Sequence, residues 1–327
     1  MEYYPLKFKP IFKEKIWGGD KIKTYLKKDF SPLSNAGESW ELSGVKGNIS
    51  EIATGELKGK LLTEIINEYK QEIIGDEIYS KYNNDFPLLI KFIDSKDKLS
   101  VQVHPDDELA KKKHNSFGKT EMWVVLEADK GSNLISGFKK DTNKEEFKNS
   151  LENKNLEELL NYETVKKDDS FFIPSGRIHA ICEGILLTEI QQTSDITYRV
   201  YDWNRVDKNG KGRELHVDDA LEAFDFKKHD NYKIKYNLID KNFHKYGLLT
   251  DSKYFKTEIY KEIIEVSFKK TPGYFNILII TEGEGSIKHN NKLTNVKLGD
   301  VYLIPAYMDD YKVISDGRLS LVKTFAK

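Results

Sequence analysis

Cysteine is almost absent: Cys182 is the only one in 327 residues. No disulfide can therefore form within the chain, and a reducing compartment, the cytoplasm, is the expected location. Long apolar runs are missing too, and none approaches the ~20 residues that a membrane helix needs. The segment Met1-Glu2-Tyr3-Tyr4-Pro5 lacks the apolar stretch of a secretory leader. An excess of one charge is also lacking, with 52 basic residues against 53 acidic ones. That balance gives no broad pull toward nucleic acid or a membrane surface, and no basic stripe with interleaved aromatics is found. What remains is 39% hydrophobic and 12% aromatic, enough for a packed core. The length exceeds the usual single-domain size, so two domains, or one with an insert, are expected.

Residues 1–60 read as short strands and turns punctuated by Gly18-Gly19 and Ser34-Asn35-Ala36-Gly37, with Trp17 and Trp40 as core bulk. Leu62, Ile65, Ile66, Tyr69, Ile73 and Ile74 repeat at helical spacing, which predicts a helical insert over about 61–82. Strands follow: Leu88 to Ile93 is a buried run, and Leu99 to His104 alternates until Pro105 ends it. A second helical insert is expected over 140–162, between strands at Met122–Leu126 and Phe171–Pro174. A further strand runs from Ile185 to Gln191.

A weak internal repeat sets the expected architecture. Val165-Lys-Lys-Asp-Asp-Ser-Phe-Phe-Ile-Pro174 aligns with Val296-Lys-Leu-Gly-Asp-Val-Tyr-Leu-Ile-Pro305. Upstream, an apolar strand leads to an acidic turn in both halves, at Trp123–Ser132 and Leu278–Ser286. The gap between blocks is longer in the first half by about the length of the second helical insert. Two copies of this order predict a mainly β protein of two jelly-roll barrels with helical insertions in the N-terminal half. The expected division is a catalytic domain over 1–235 and a second barrel over 236–327.

Four residues of the first barrel form a plausible metal set. Gln102 and His104 are two apart, so on a strand they share a face. Glu121 opens the next strand, and His179 ends Pro174-Ser-Gly-Arg-Ile-His179, where proline and glycine shape a turn. Two imidazoles and two oxygen donors suit a first-row divalent metal, and zinc is a reasonable choice, although ligand type alone does not separate it from iron or manganese. His114, His229, His244 and His289 are read as ordinary surface or core histidines, and His216 as a capping or structural residue. Cys182 falls on the opposite strand face from His179 and is read as a core thiol. Gly283-x-Gly285 has no following helix and is no dinucleotide fingerprint. In the second copy Asp310 stands five residues after Pro305, where the first has His179, so no metal is expected there.

Pro-x-Gly-x-x-His is the second motif of the cupin family. The departure from the first cupin motif, with Gln102 for a histidine and Glu121 much farther on, points to one branch. Leu99-Ser-Val-Gln-Val-His-Pro-Asp106, Gly118-Lys-Thr-Glu-Met-Trp123, Ile173–His179 and Thr193-Ser-Asp-Ile-Thr-Tyr-Arg199 resemble type I mannose-6-phosphate isomerase. Trp17-Gly18-Gly19, Tyr201-Asp-Trp-Asn-Arg205 and Arg213-Glu-Leu-His216 resemble its short bacterial form.

The resemblance implies that Gln102, His104, Glu121 and His179 bind one zinc ion per chain, and that Lys91, Ser100, Lys119 and Arg199 line the substrate pocket. It implies interconversion of mannose 6-phosphate and fructose 6-phosphate through an enediolate, with Lys119 and Arg199 as the catalytic cations. After its arginine the longer branch continues Gly-Leu-Thr-Pro-Lys, whereas Val200-Tyr201-Asp202 follows Arg199 here. A sugar-phosphate-binding cupin without turnover and a cupin dioxygenase with another metal are the competing readings. The base that carries the proton and the oligomeric state stay open.

Overall fold

A computed structural model describes residues 2–206 and 210–327. Strands dominate its first half: β1 (Leu6–Lys7), β2 (Ile11–Lys13), β3 (Glu38–Ser43), β4 (Leu88–Ser95), β5 (Val101–Val103) and β6 (Glu121–Ala128). There follow β7 (Asn133–Phe138), β8 (Leu160–Thr164), β9 (Ser170–Ile173), β10 (His179–Ile181), β11 (Ile185–Gln192) and β12 (Tyr198–Tyr201). The second half carries β13 (Ile239–Asp240), β14 (Lys245–Asp251), β15 (Phe255–Phe268), β16 (Asn276–Glu282), β17 (Glu284–His289), β18 (Lys292–Lys297), β19 (Val301–Ile304) and β20 (Tyr311–Ala326). The α-helices are α1 (Lys21–Thr24), α2 (Leu62–Tyr69), α3 (Gln71–Ile74), α4 (Asp76–Tyr82), α5 (Asp107–His114), α6 (Lys144–Glu152) and α7 (Val217–Ala223). Among the described residues no helix is long and apolar enough to cross a membrane.

In the first half a five-stranded sheet, β12-β5-β10-β7-β8, and a six-stranded sheet, β2-β3-β4-β11-β6-β9, share a core. Ile93, Trp123 and Leu187 from one sheet meet Leu134 and Ile181 from the other. Among the described residues no ladder joins the two sheets, so the jelly roll is an open sandwich rather than a closed barrel. The second half is one nine-stranded sheet, and register breaks in β15 between Tyr260 and Glu265 bend it around its own core. A third core joins the halves: Ile90, Phe92 and Val124 pack with Ile65 and Ile66 of α2 and with Phe255, Ile277 and Ile279. The first strand belongs to the far sheet, because Leu6 pairs with Leu303 and Lys7 with Tyr302.

The internal repeat is present as strand order. β4-β11-β6-β9 recurs as β15-β20-β16-β19, and the pair Glu121–Ile173 is matched by Asn276–Ile304. Between β7 and β8 the chain carries α6, whereas β17 and β18 are joined by Asn290-Asn291, both at positive φ. One position differs from the sequence alignment. His179 pairs with Gln102, and the corresponding pair is Tyr311 with Phe268, one residue beyond Asp310. The turn after Pro305 holds one extra residue, and Asp310 points outward to Lys269.

The first helical insert covers its expected span, from Leu62 to Tyr82, and the second is shorter than its periodicity suggests. The first is three helices, broken at Lys70 (φ 50°) and Gly75 (φ 95°). Gly75 is required twice over, since a Cβ there would also lie 2.3 Å from the Gly273 carbonyl oxygen. In the second, Asn143 caps α6 by accepting from the Glu146 N–H at 2.9 Å, and the helix stops at Glu152. Leu160 then leaves to pair with Phe138, where strand pairing and burial outweigh helical spacing.

Candidate active site

Three of the proposed ligands converge. The Nε2 atom of His104 lies 3.2 Å from Glu121 Oε1, and that of His179 lies 3.6 Å from Glu121 Oε2. Each histidine donates its Nδ1–H to a backbone carbonyl, His104 to Ile196 at 2.9 Å and His179 to Arg177 at 2.8 Å. A carbonyl oxygen can only accept, so the proton sits on Nδ1 and both Nε2 lone pairs face the carboxylate. Burial, with Lys119 nearby, pushes His104 down to about 3, and burial lowers His179 as well, so both rings are neutral. Burial alone would raise Glu121, but the charge of Lys119 at 3.2 Å holds it well below the usual carboxylate range.

Both Nε2 atoms and Glu121 Oε2 are buried without a hydrogen-bond partner. Three converging orphan acceptors are costly in a folded core unless a cation completes them. Their ligand atoms lie within 4.8 Å of one another, close enough that small side-chain shifts would bring all three onto one ion with ligand bonds of about 2 Å. The donor set fits a divalent metal.

Gln102 stands in the same row. It pairs with His179 on one side and Arg199 on the other, which aligns the three across the five-stranded sheet. Glu121 comes from the opposing sheet, so the two sheets close on the site from both faces. The next row of the six-stranded sheet is Trp123, Glu189, Lys91 and Trp40. Lys91 donates to Glu189 at 2.9 Å and lies over the Trp40 ring, while the Trp123 indole donates to Glu189 at 3.0 Å. Burial would lower Lys91, but Glu189 and Glu38 raise it to about 12. Burial and the charge of Glu121 push Glu189 up.

The loop that carries Lys119 is clamped. Asp107 Oδ1 accepts from the Gly118 N–H and from Gln192 Nε2, both at 3.0 Å, and Gln192 Oε1 accepts from the Thr120 N–H at 2.9 Å. Tyr254 of the second half donates to Asp107 Oδ2 at 2.7 Å. Gly118 is pressed so closely on α5 that a Cβ would sit 2.6 Å from backbone atoms of Asp106 and Asp107.

These rows bound a cavity of about 500 Å³ lined by Lys91, Ser100, Gln102, Lys119, Glu121 and Arg199. His104 and His179 are buried beside it, each 1% exposed. Trp17 and Trp40, read from sequence as core bulk, also line it. Sequence reasoning missed Glu38, Glu189, Lys13, Lys15 and Arg213 in its walls. For Glu189 a signal existed: a carboxylate midway along β11, a strand buried at every position. His216 accepts from the Arg199 N–H through Nδ1 at 3.3 Å and makes no capping bond.

Residues 6–120 match the family described as phosphomannose isomerase type I, catalytic domain. Mannose-6-phosphate isomerase ManA of Bacillus subtilis (strain 168) is 34% identical over 94% of this chain and 95% of its own. Mannose-6-phosphate isomerase of Streptococcus mutans is 32% identical over 97% of both chains. The crystal structure of the mannose 6-phosphate isomerase from Bacillus subtilis is similar with a TM-score of 0.88 at 32% identity, over 98% of this chain and 99% of that one. A mannose 6-phosphate isomerase bound with zinc and yttrium shares the fold, at TM-score 0.78 and 15% identity over 99% of both chains.

Proposed function

The chain belongs to the type I phosphomannose isomerases, and from that premise we propose that it interconverts mannose 6-phosphate and fructose 6-phosphate with one zinc ion held by Gln102, His104, Glu121 and His179. The observation that carries this is the pair of neutral imidazoles, locked by their Nδ1–H bonds, aiming two unpartnered Nε2 atoms at one ionised carboxylate beside a cationic cavity. Residues 1–235 do the chemistry in this reading, and the barrel of 236–327 holds no metal. The lone Cys182 and the phosphorylated substrate support a cytoplasmic location in this reading.

Moving hydrogen between C2 and C1 of the sugar requires removal of a weakly acidic carbon-bound proton, and the resulting enediolate carries negative charge. When bound, zinc supplies Lewis-acid stabilisation of a sugar oxygen. Lys119, fixed beside Glu121 by the clamped loop, adds a positive charge at the reacting end. Arg199 is aimed by donating its Nε–H to Ser100 Oγ at 3.2 Å and its Nη1 to the Glu214 carbonyl at 2.9 Å. Its remaining Nη2 group is left for the substrate. The Lys91–Glu189 pair and the two indoles form the wall against which the sugar lies.

A coupled assay for fructose 6-phosphate formation, run with chelator and after zinc is restored, tests this. Turnover abolished by chelator and returned by zinc is the expected result. No turnover by folded, zinc-loaded protein would move the function to sugar-phosphate binding without chemistry.

A further inference from the structure

The charges around the cavity are unevenly matched. Six cations and four carboxylates line it. Three of the cations have a carboxylate of their own: Lys91 with Glu189, Lys119 with Glu121, and Lys15 with Glu38. The other three are Lys13, Arg199 and Arg213. Lys13 rests on the neutral Asn48, and Arg199 on a hydroxyl and a carbonyl. Arg213 is held by Asp202, donating its Nε–H to Oδ2 at 2.7 Å and Nη2 to Oδ1, but that carboxylate is shared with Arg205. Two guanidinium groups thus share one aspartate, and Arg213 Nη1 has no hydrogen-bond partner among the described residues.

Arg213 is also fixed in place relative to Arg199. The His216 N–H donates to the Arg199 carbonyl at 2.7 Å, and the Arg199 N–H donates back to His216 Nδ1. The Glu214 carbonyl receives the Arg199 guanidinium. The segment that carries Arg213 is therefore laced to β12, and its guanidinium fork is pre-set by Asp202 before any ligand arrives. Two arginines, each with one nitrogen unpartnered among the described residues, line one cavity in which three of the four lysines are paired with carboxylates.

Resting on the isomerase assignment, we propose that Arg213, braced by Asp202, is the specificity-determining anchor for the substrate's 6-phosphate. The reacting carbons and the phosphate lie at opposite ends of the sugar, and among the described residues Arg213 makes no hydrogen bond or ion pair with Lys119 or Glu121. A phosphomonoester carries nearly two negative charges at neutral pH, and a guanidinium fork matches its oxygens.

The zinc-loaded enzyme is assayed with mannose 6-phosphate, and inorganic phosphate is titrated by calorimetry. Arg213→Gln is expected to raise KM by about 10- to 100-fold with kcat within about threefold, the loss of one charge-assisted contact to phosphate. Phosphate affinity falls in parallel, and Arg213→Lys recovers part of both. Asp202→Asn raises KM less, because the fork loses its brace but keeps its charge. Unchanged KM and unchanged phosphate affinity in a folded Arg213→Gln overturn the proposal. So does a fall in kcat alone, which would put Arg213 at the reacting end. Absence of turnover in the wild type would strike the isomerase assignment instead, and the phosphate titration would still read Arg213 by itself.

Discussion

The two halves of the molecule use one strand order for opposite interiors. In the first, Glu121, Trp123, Glu189 and Gln102 face a cavity, with His179 buried beside it. In the second, the strand registers put Asn276, Leu278, Lys323, Phe268 and Tyr311 at those places. The Phe268 and Tyr311 rings stack with centroids 5.1 Å apart where the first half sets Gln102 against His179. Even the buried ion pair persists with its charges exchanged: Lys91–Glu189 in one half and Glu258–Lys323 in the other, each at 2.9 Å. The lesson is that this scaffold tolerates either filling. A row of polar residues leaves room for a ligand, and a row of aromatic ones closes the space.

The connections differ as well as the side chains. β15 and β20 each run unbroken through the second half, over 14 and 16 residues. Their counterparts are cut into β4 with β5 and β10 with β11. Those breaks free the chain at 96–100 and 182–184, and Ser100, a wall of the cavity, sits in the first of them.

The strongest way to break the comparison is to erase the metal set. His104→Ala or His179→Ala should lose bound zinc and lower turnover by about three orders of magnitude or more, measured by metal analysis and the coupled assay. Asn276→Ala, at the matching place in the second half, should change neither, and zinc should stay at one equivalent per chain. Next come the cations: Lys119→Ala and Arg199→Ala should keep fold and metal while kcat falls by about 100-fold or more. Unaltered kinetics would remove either residue from the site.

In the second half the effect should be on stability alone. Phe268→Ala should cost about 3–5 kcal/mol in urea unfolding, with kcat per folded molecule unchanged. A smaller effect sharpens how the first half accommodates its polar groups. Burial raises Asp94 from 3.8 to about 6, against the Lys21 N–H that donates to it at 2.6 Å. The folded chain therefore holds this proton more tightly than the unfolded one. Asp94's contribution is most favourable below pH 4 and is lost as pH rises through 6. Asp94→Asn should flatten the fall in unfolding midpoint between pH 4 and 7, and an unchanged slope would assign the loss elsewhere. Smallest of all, Tyr254→Phe removes the tie from the second half to Asp107 and should lower kcat by no more than about tenfold.

Much of this was legible in the residues. Gln102-x-His104 shares a face because strands alternate, and Pro174-Ser-Gly-Arg-Ile-His179 delivers its histidine as the turn chemistry suggests. The repeat between Val165–Pro174 and Val296–Pro305, with the strand upstream of each, marks the matching pairs β6–β9 and β16–β19 of the two halves. Counting five residues past each proline failed by one, since an added turn residue leaves no mark in a hydrophobic pattern. Glu189, Arg213 and the Asp107 clamp were hidden for another reason. Their partners lie on other strands, 98 residues away for Lys91 and 147 for Tyr254, and only the folded sheets bring them together.

The pairing of Leu6 with Leu303 has a consequence in time. The two lie roughly 300 residues apart, so at about 5–20 residues per second the ribosome releases β19 some 15–60 s after β1 has emerged. Over that interval β1 lacks its β19 partner and has only the bond that the Lys7 carbonyl accepts from the Ala53 N–H, and the second sheet cannot acquire this edge strand from its own half. A strand made first is thus among the last to be seated, and the open edge of β19 is the place where a chaperone, or a neighbouring nascent chain, could reach the molecule before it is finished.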